Sequence, residues 1–167
     1  MDNALSFILN NCPECIDLYQ RIKKEYSFIF DEFDGHVAKC TADEYGCDIW
    51  INVKGVIIRF ETAPRDRIEF GYDVSLPVDD PANKFNEFHS AITILDFMDS
   101  NSPPKYKGFD WYDNRINTAI QFKHALKRIV EFYNSIQFNE KSRNFNKWYD
   151  AYINEFRKSV EEYFKKH

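Results

Sequence analysis

Four cysteines are the residues of this chain whose type and spacing could do chemistry. Cys12 and Cys15 form a C-x2-C pair, and Cys40 and Cys47 form a second pair with six residues between them. Four thiolates can bind a zinc ion tetrahedrally, although structural zinc sites usually present two close pairs. We expect no metal here, because buried free cysteine also packs as a small apolar residue. A zinc or thiol protein that uses all four cysteines is the alternative.

The residues around Cys40 and Cys47 favour the apolar role. A loop over residues 41–46 would place Cys40 opposite Cys47, and Ala38 opposite Ile49, in an antiparallel pair of strands. Residues two positions apart on a strand share one face of the sheet. Both thiols would then lie on the core side of the sheet, on the same face as Ile49.

The sequence Cys12-Pro13-Glu14-Cys15 resembles the CPxC motif of the thioredoxin and glutaredoxin families. The resemblance extends to Cys12, Pro13 and Cys15, and it implies a dithiol redox function. In those families the motif begins a helix that follows a strand. Here residues 5–9 have helical spacing, and the residues after the motif predict an antiparallel meander, so we expect no redox activity.

Other catalytic signatures are missing from the sequence. The histidines form no ligand or catalytic spacing with one another; they are His36, His89, His124 and His167. No GxSxG, HExxH, GxGxxG or Walker sequence occurs, and five glycines are few for a phosphate-binding loop. The sequence therefore predicts a protein that is not an enzyme and that needs no cofactor.

Residues 48–61 predict a β-hairpin with a defined register. Polar and apolar residues alternate from Asp48 to Lys54, and Lys54-Gly55 can form a two-residue turn. That turn pairs Val53 with Val56, Ile51 with Ile58, and Ile49 with Phe60. All six apolar side chains then lie on one face, which identifies that face as the core side.

The opposite face of the hairpin carries an unusual mixture for a solvated surface. It presents Trp50, Ile57, Arg59 and Glu61, joined by Arg67, Glu69 and Asp73 from the next strand. Aromatic residues and arginine are enriched at protein interfaces. We therefore predict a partner-binding surface, in which Trp50 and Ile57 are apolar anchors and the charged residues select the partner.

The remaining pattern predicts an α+β fold in a single domain over residues 1–167. An N-terminal helical stripe from Leu5 to Phe33 is interrupted at Pro13, where the helix kinks or restarts. A three- to four-stranded antiparallel β-meander follows over residues 36–74. Three helices complete the chain, from Asp80 to Met98, from Tyr112 to Gln137 and from Ser142 onward; the last two are expected to be long and antiparallel.

Composition favours a compact binding protein. Aromatic residues make up 17% of the chain, and residues 1–110 hold 20 acidic against 11 basic residues. Such an excess suits a basic partner protein, for example a nuclease or another toxin. In general character the chain resembles bacterial toxin-immunity proteins and phage-encoded inhibitors. That resemblance implies a small protein that neutralises its partner by occlusion.

The sequence also indicates where the protein works. The N-terminus lacks the positively charged and apolar regions of a signal peptide. No stretch approaches the roughly 20 apolar residues that cross a bilayer. We therefore expect a cytoplasmic protein that does not bind membranes.

A nucleic-acid-binding surface is the second alternative. Residues 123–147 carry six basic side chains near three aromatic ones: Lys123, Lys127, Arg128, Lys141, Arg143 and Lys147 near Phe138, Phe145 and Trp148. Basic residues can bind phosphates, and aromatic residues can stack on bases. The acidic pI of about 5.4 and the acidic residues within the same segment favour a protein partner instead.

Overall fold

The computed structural model describes residues 3–62, 67–72, 89–100, 118–135, 138, 141 and 143–166. Its contacts divide the chain into two compact units, one of residues 1–78 and 87–90, the other of residues 79–86 and 91–167. The first unit holds the N-terminal helices and the sheet, and the second holds the later helices. The predicted α+β class is confirmed, while the single domain over residues 1–167 stays a prediction.

The N-terminal segment folds as three helices with one turn of 3-10 helix among them. α1 spans Asn3–Asn11, the 3-10 turn spans Pro13–Cys15, α2 spans Ile16–Glu25 and α3 spans Phe28–Asp31. Pro13 occupies the start of the 3-10 turn, where the missing N–H would have no helical partner in any case. The predicted interruption at Pro13 is therefore confirmed as a restart.

Gly35 lets the chain pass closely between α3 and the sheet. A Cβ at this position would lie 2.7 Å from the carbonyl oxygen of Ile29 and 3.2 Å from Cγ2 of Ile51. The N–H of Gly35 donates a 2.8 Å hydrogen bond to the same carbonyl of Ile29. Because only glycine has no Cβ, this close approach depends on the residue type.

The sheet is antiparallel, and its strands follow the chain in the order β1-β2-β3-β4-β5. The strands span His36–Ala42, Cys47–Val53, Val56–Glu61, Arg67–Tyr72 and His89–Ser90, in that order. β2 and β3 pair in the predicted register, with Val53 opposite Val56 and Ile49 opposite Phe60. The predicted meander is confirmed, and the short β5 adds a fifth strand at its edge.

The Lys54-Gly55 turn fixes this register. Both residues have positive φ angles, 53° for Lys54 and 88° for Gly55, as a type I′ turn requires. Asn52 Oδ1 accepts a hydrogen bond from the N–H of Gly55 at 2.9 Å. A register shift of one residue would move every side chain of the hairpin to the opposite face. The turn therefore decides which residues form the core.

The inner face of the sheet is the core of the first unit. The side chains at its centre are fully buried: Ile49, Ile51, Val53, Val56 and Ile58. α1 packs against β1, α2 packs against β2, and the ring centroids of Tyr26 and Phe60 lie 5.7 Å apart. Each of these large apolar side chains stabilises the fold by roughly 1.5–3 kcal/mol through burial.

Three helices lie within the described residues of the second unit, and they meet at aromatic side chains. α4 spans Ala91–Asp99, α5 spans Ala119–Tyr133 and α6 spans Phe145–Lys166. The ring of Phe97 lies edge-on to Phe145 and Phe132, at 4.8 and 6.3 Å between centroids. Asp99 accepts a hydrogen bond from the guanidinium of Arg128 on α5. The two long C-terminal helices of the predicted fold are confirmed.

The helix predicted from Asp80 to Met98 requires a correction in its first part. His89–Ser90 form β5, in which His89 lies opposite Phe70 of β4, and α4 begins at Ala91. Backbone pairing with β4 satisfies the hydrogen-bonding groups of these two residues in place of a helical turn. The earlier part of the prediction, over residues 80–88, lies outside the described residues.

The helix predicted from Tyr112 begins later, after Thr118. The Thr118 hydroxyl accepts a hydrogen bond from the N–H of Gln121 at 3.2 Å, and the Gln121 side chain accepts one from the N–H of Thr118 at 3.1 Å. This capping box satisfies backbone donors that have no partner within the helix. The T-x-x-Q signature of the box was readable in the sequence, whereas apolar spacing alone ran the predicted helix through Thr118. The first part of the prediction, over residues 112–117, lies outside the described residues.

Candidate functional site

The outer face of the sheet holds the residues predicted to bind a partner, at neighbouring positions of the register. Trp50 of β2 lies opposite Arg59 of β3, and Arg59 lies opposite Glu69 of β4. Glu61 of β3 lies opposite Arg67 of β4. Backbone positions of opposite charge therefore face each other across the β3–β4 pair. Cross-strand pairs of opposite charge stabilise a sheet modestly.

Trp50 lies at the middle of this face and is half-buried. The Nζ atom of Lys39, on β1, lies 4.8 Å from the centroid of the Trp50 ring, within the range of a cation–π contact. Lys39 is itself exposed to solvent, and its long flexible side chain covers part of the indole. Part of the Trp50 side chain therefore stays accessible.

Arg59 and Glu61 form an ion pair on the same face. Arg59 Nη2 lies 3.3 Å from Glu61 Oε2, and the two side chains are 26% and 20% exposed. Because both side chains are partly buried, salt screens this ion pair less than it would screen a fully solvated pair. We call this side of the sheet the outer face; its described side chains that are at least partly accessible include Lys39, Trp50, Arg59 and Glu61.

The end of the sheet beside the Lys54-Gly55 turn is closed on both sides. Ile57 is 5% exposed and Asn52 is 9% exposed. Ile57 therefore offers a partner almost no surface in this conformation, and Trp50 is the apolar anchor that stays accessible. Asp73, which the sequence also placed on this surface, lies outside the described residues.

The register between β1 and β2 differs from the predicted one. Cys40 lies opposite Ile49 and Cys47 lies opposite Ala42, so the two cysteines do not face each other directly. The loop between them is shorter than predicted, because Asp43 Oδ1 accepts hydrogen bonds from two backbone N–H groups of the turn at 2.8 and 3.0 Å. Cys40 and Cys47 become diagonal neighbours on the inner face, still within reach of each other.

The 3-10 turn brings the other two cysteines against these strands. The turn contacts both β1 and β2. Cys15 Sγ donates a hydrogen bond to the carbonyl oxygen of Thr41 at 3.3 Å. Cys15 is fully buried and Cys12 is 7% exposed. The structure therefore gathers Cys12, Cys15, Cys40 and Cys47 into one group, which we call the cysteine cluster.

Two thiols of the cysteine cluster, those of Cys15 and Cys40, have raised pKa values. Burial and a hydrogen bond with Cys47 raise the pKa of the Cys15 thiol above its usual range. Burial and a hydrogen bond with Cys12 raise the pKa of the Cys40 thiol to about 12. Reactive cysteines have lowered pKa values, so these thiols are poor nucleophiles. The sequence contained the signal for this cluster in its C-x2-C pair, but the predicted register left its second pair on the wrong cross-strand partners.

The basic segment 123–147 does not present its aromatic side chains to solvent. The three aromatic residues in or next to that segment are 0 to 9% exposed: Phe138, Phe145 and Trp148. Two of its cations already have partners, since Arg128 pairs with Asp99 and Lys141 donates to a backbone carbonyl of α4 at 2.9 Å. Base stacking needs an accessible ring, so these three aromatic side chains are not available to stack on bases.

Comparison with known proteins assigns the chain to no family: no family model, no curated protein and no solved structure matches it. Among the helices that the structure describes, none is long and apolar enough to cross a membrane. Within the described ranges, no group of three or more His, Cys, Asp or Glu side chains is placed so that it could hold a metal ion. The outer face and the cysteine cluster are therefore the two candidate sites within the described residues.

Proposed function

We propose that this protein is a cytoplasmic inhibitor or immunity-type protein, which neutralises a partner protein by covering it with the outer face. The observation that carries the proposal is the half-buried Trp50, with Lys39 over its ring and the Arg59–Glu61 pair beside it. A central aromatic residue within a ring of charged groups is the composition of a protein-interface anchor.

Each residue of the outer face has a separate task in this proposal. Trp50 supplies the apolar area that binding removes from water, once Lys39 moves aside. Arg59 and Glu61 present both signs of charge at fixed positions, because they hold each other at 3.3 Å. Fixed charges reject partners with the wrong pattern and accept the complementary one.

Long-range charge favours a basic partner such as a toxin or nuclease. The first 110 residues hold nine more acidic than basic residues, 20 against 11. An acidic surface attracts a basic protein from solution and raises the association rate constant, most strongly at low ionic strength. Steering by charge and retention by Trp50 are therefore separable contributions, the first to association and the second to dissociation.

The decisive experiment is capture of the partner with the tagged full chain from lysate of the source cell, followed by titration calorimetry with the purified partner. We expect one stoichiometric basic protein, whose activity the chain inhibits. Trp50→Ala should weaken the complex by at least about 30-fold, the equivalent of ~2 kcal/mol for an interface hot spot. Ile120→Ala, an exposed apolar residue on α5 in the other unit, is the matched control and should bind normally.

Two results contradict the proposal. One is a correctly folded Trp50→Ala protein that binds and inhibits the partner as well as the wild type does. The other is recovery of nucleic acid without a protein partner, with binding lost on charge reversal at Lys127 and Arg143. Circular dichroism of each variant distinguishes loss of the surface from loss of the fold.

A further inference from the structure

The cysteine cluster is assembled by two independent pieces of local structure. In the first piece, the N–H of Cys15 donates to the carbonyl of Cys12 at 2.9 Å, which closes the 3-10 turn and holds the two residues together. In the second, the paired strands set Cys40 and Cys47 on the inner face as diagonal neighbours. The bond from Cys15 to the Thr41 carbonyl joins the two pieces beside Cys40.

The thiols of the two pieces lie close enough to influence one another. Besides burial, Cys47 and Cys12 both raise the pKa of the Cys15 thiol, and Cys12 and Cys47 both raise the pKa of the Cys40 thiol. None of the four cysteines is in a disulfide. Two buried cysteines, Cys12 and Cys15, thus meet two partly exposed ones, Cys40 and Cys47. Core packing alone does not require four thiols here, because aliphatic side chains would pack equally well.

We propose that Cys12, Cys15, Cys40 and Cys47 together bind one zinc ion in a closed, structural site. Four sulfur ligands in a tetrahedral arrangement are typical of structural zinc, and soft thiolates select it over magnesium or calcium. The turn supplies a C-x2-C pair and the β1–β2 hairpin supplies the second pair. All four coordination positions are then filled by protein, so the site has no place for a substrate or a reactive water.

Binding requires proton loss and a small contraction. Each thiol that becomes a ligand releases its proton to solvent, so one zinc ion displaces up to four protons and leaves a site of net charge −2. Zinc–sulfur bonds of about 2.3 Å place tetrahedral sulfurs roughly 3.8 Å apart. The described side chains are not placed so that three of them could hold a metal ion, so binding requires the turn and the hairpin to close around the ion. The raised pKa values describe the metal-free state.

The proposed ion stabilises the first unit by tying its helices to its sheet. The 3-10 turn connects α1 to α2, and its contacts reach β1 and β2. An ion shared by the turn and the hairpin would fix both pieces at one point, as structural zinc does in small domains. This task is independent of the partner bound by the outer face, so either proposal can fail without the other.

Metal analysis of the full chain, purified under reducing conditions without added chelator, tests the proposal. We expect one equivalent of zinc by plasma mass spectrometry. Cobalt added to the chelator-stripped chain should give the intense visible and near-ultraviolet absorption of a tetrahedral cobalt–thiolate centre, and zinc should bleach it. Cys15→Ser should weaken zinc binding by more than the roughly 100-fold that loss of an outer-shell partner costs. Glu14→Gln, an exposed residue between the two turn cysteines, is the matched control and should bind zinc normally.

The wild-type cobalt titration keeps the test decisive if Cys15→Ser does not fold. A reduced, folded wild-type chain that carries no zinc and gives no cobalt–thiolate absorption overturns the proposal. Recovery of Cys12–Cys15 or Cys40–Cys47 disulfides from chain purified under nitrogen also overturns it, and would point to redox chemistry instead. Full zinc affinity in a folded Cys15→Ser protein does the same.

Discussion

The two faces of β2 and β3 are built from alternating residues of the same strands, yet they differ in how residue type relates to burial. On the inner face, Ile49, Ile51 and Ile58 are all fully buried, and each apolar type matches its surroundings. On the outer face, an indole and an ion pair are half-buried, while Ile57 is nearly as buried as the core. On the inner face, these apolar side chains are all fully buried. On the outer face, the extent of burial differs from one residue to the next.

That difference separates what the hairpin needs for folding from what it offers to other molecules. The inner face has one requirement, which is to exclude water against the N-terminal helices. The outer face is closed at the turn, where Ile57 and Asn52 are buried, and is partly accessible around Trp50. Substitutions on the two faces should therefore separate into large effects on stability and large effects on binding.

Ile51→Ala should have the largest effect on stability. The side chain is fully buried, and its truncation leaves a cavity in a packed core. We expect the free energy of unfolding to fall by about 2–5 kcal/mol, measured by urea denaturation. Thr41→Ser, at an exposed position of β1, is the control and should change it by less than about 0.5 kcal/mol. A similar small loss for Ile51→Ala would break the assignment of the inner face as core.

Ile57→Ala sharpens the division of the outer face itself. Because Ile57 is 5% exposed, we expect a loss of about 2–4 kcal/mol in the free energy of unfolding, although the residue points away from the inner face. The matching measurement is binding of the purified partner, which should change only in proportion to the folded fraction. A loss below about 0.5 kcal/mol would mean that this end of the face is open in solution.

The sequence was sufficient for the hairpin because its information is local. Lys54-Gly55 specifies a two-residue turn, and the turn converts alternation into register, so the pairs from Val53–Val56 to Ile49–Phe60 are confirmed. The β1–β2 register was wrong for an equally local reason. Asp43 shortens the turn through its side chain, and a bulge between Val37 and Lys39 changes the count, features that alternation does not encode.

The functional surfaces were less predictable, because they depend on tertiary packing. No pattern within β3 distinguishes Ile57, which is buried, from a solvent-facing residue of the same strand. The cysteine cluster likewise forms only when the 3-10 turn lies against the hairpin. Thr118 and Gln121 show the opposite case, since their capping box is a sequence signal that periodicity overrode.

Gly55→Ala tests the turn that makes the two faces different. Gly55 has a φ of 88°, a conformation that costs an L-residue with a Cβ roughly 1–2 kcal/mol. We expect a loss of that size in the free energy of unfolding. Lys54→Asn should act in the opposite direction and stabilise by about 0.5 kcal/mol, since asparagine tolerates the positive φ of 53° better than lysine. Equal effects of the two substitutions would contradict a type I′ turn.

The Arg59–Glu61 pair should have the smallest effect on stability. It tests whether the charged residues of the outer face serve the fold or the binding of a partner. A double-mutant cycle with Arg59→Ala and Glu61→Ala cancels the other interactions of each residue and isolates the pair. We expect a coupling of about 0.5–1 kcal/mol in low salt, since the side chains are 26% and 20% exposed, and less in 1 M salt. If the outer face binds a partner, the same cycle on affinity should give a larger coupling, because the partner removes the remaining solvent from the pair. Equal couplings in folding and binding would mean that the pair serves only the fold, leaving Trp50 as the one described residue of this face with a part in recognition.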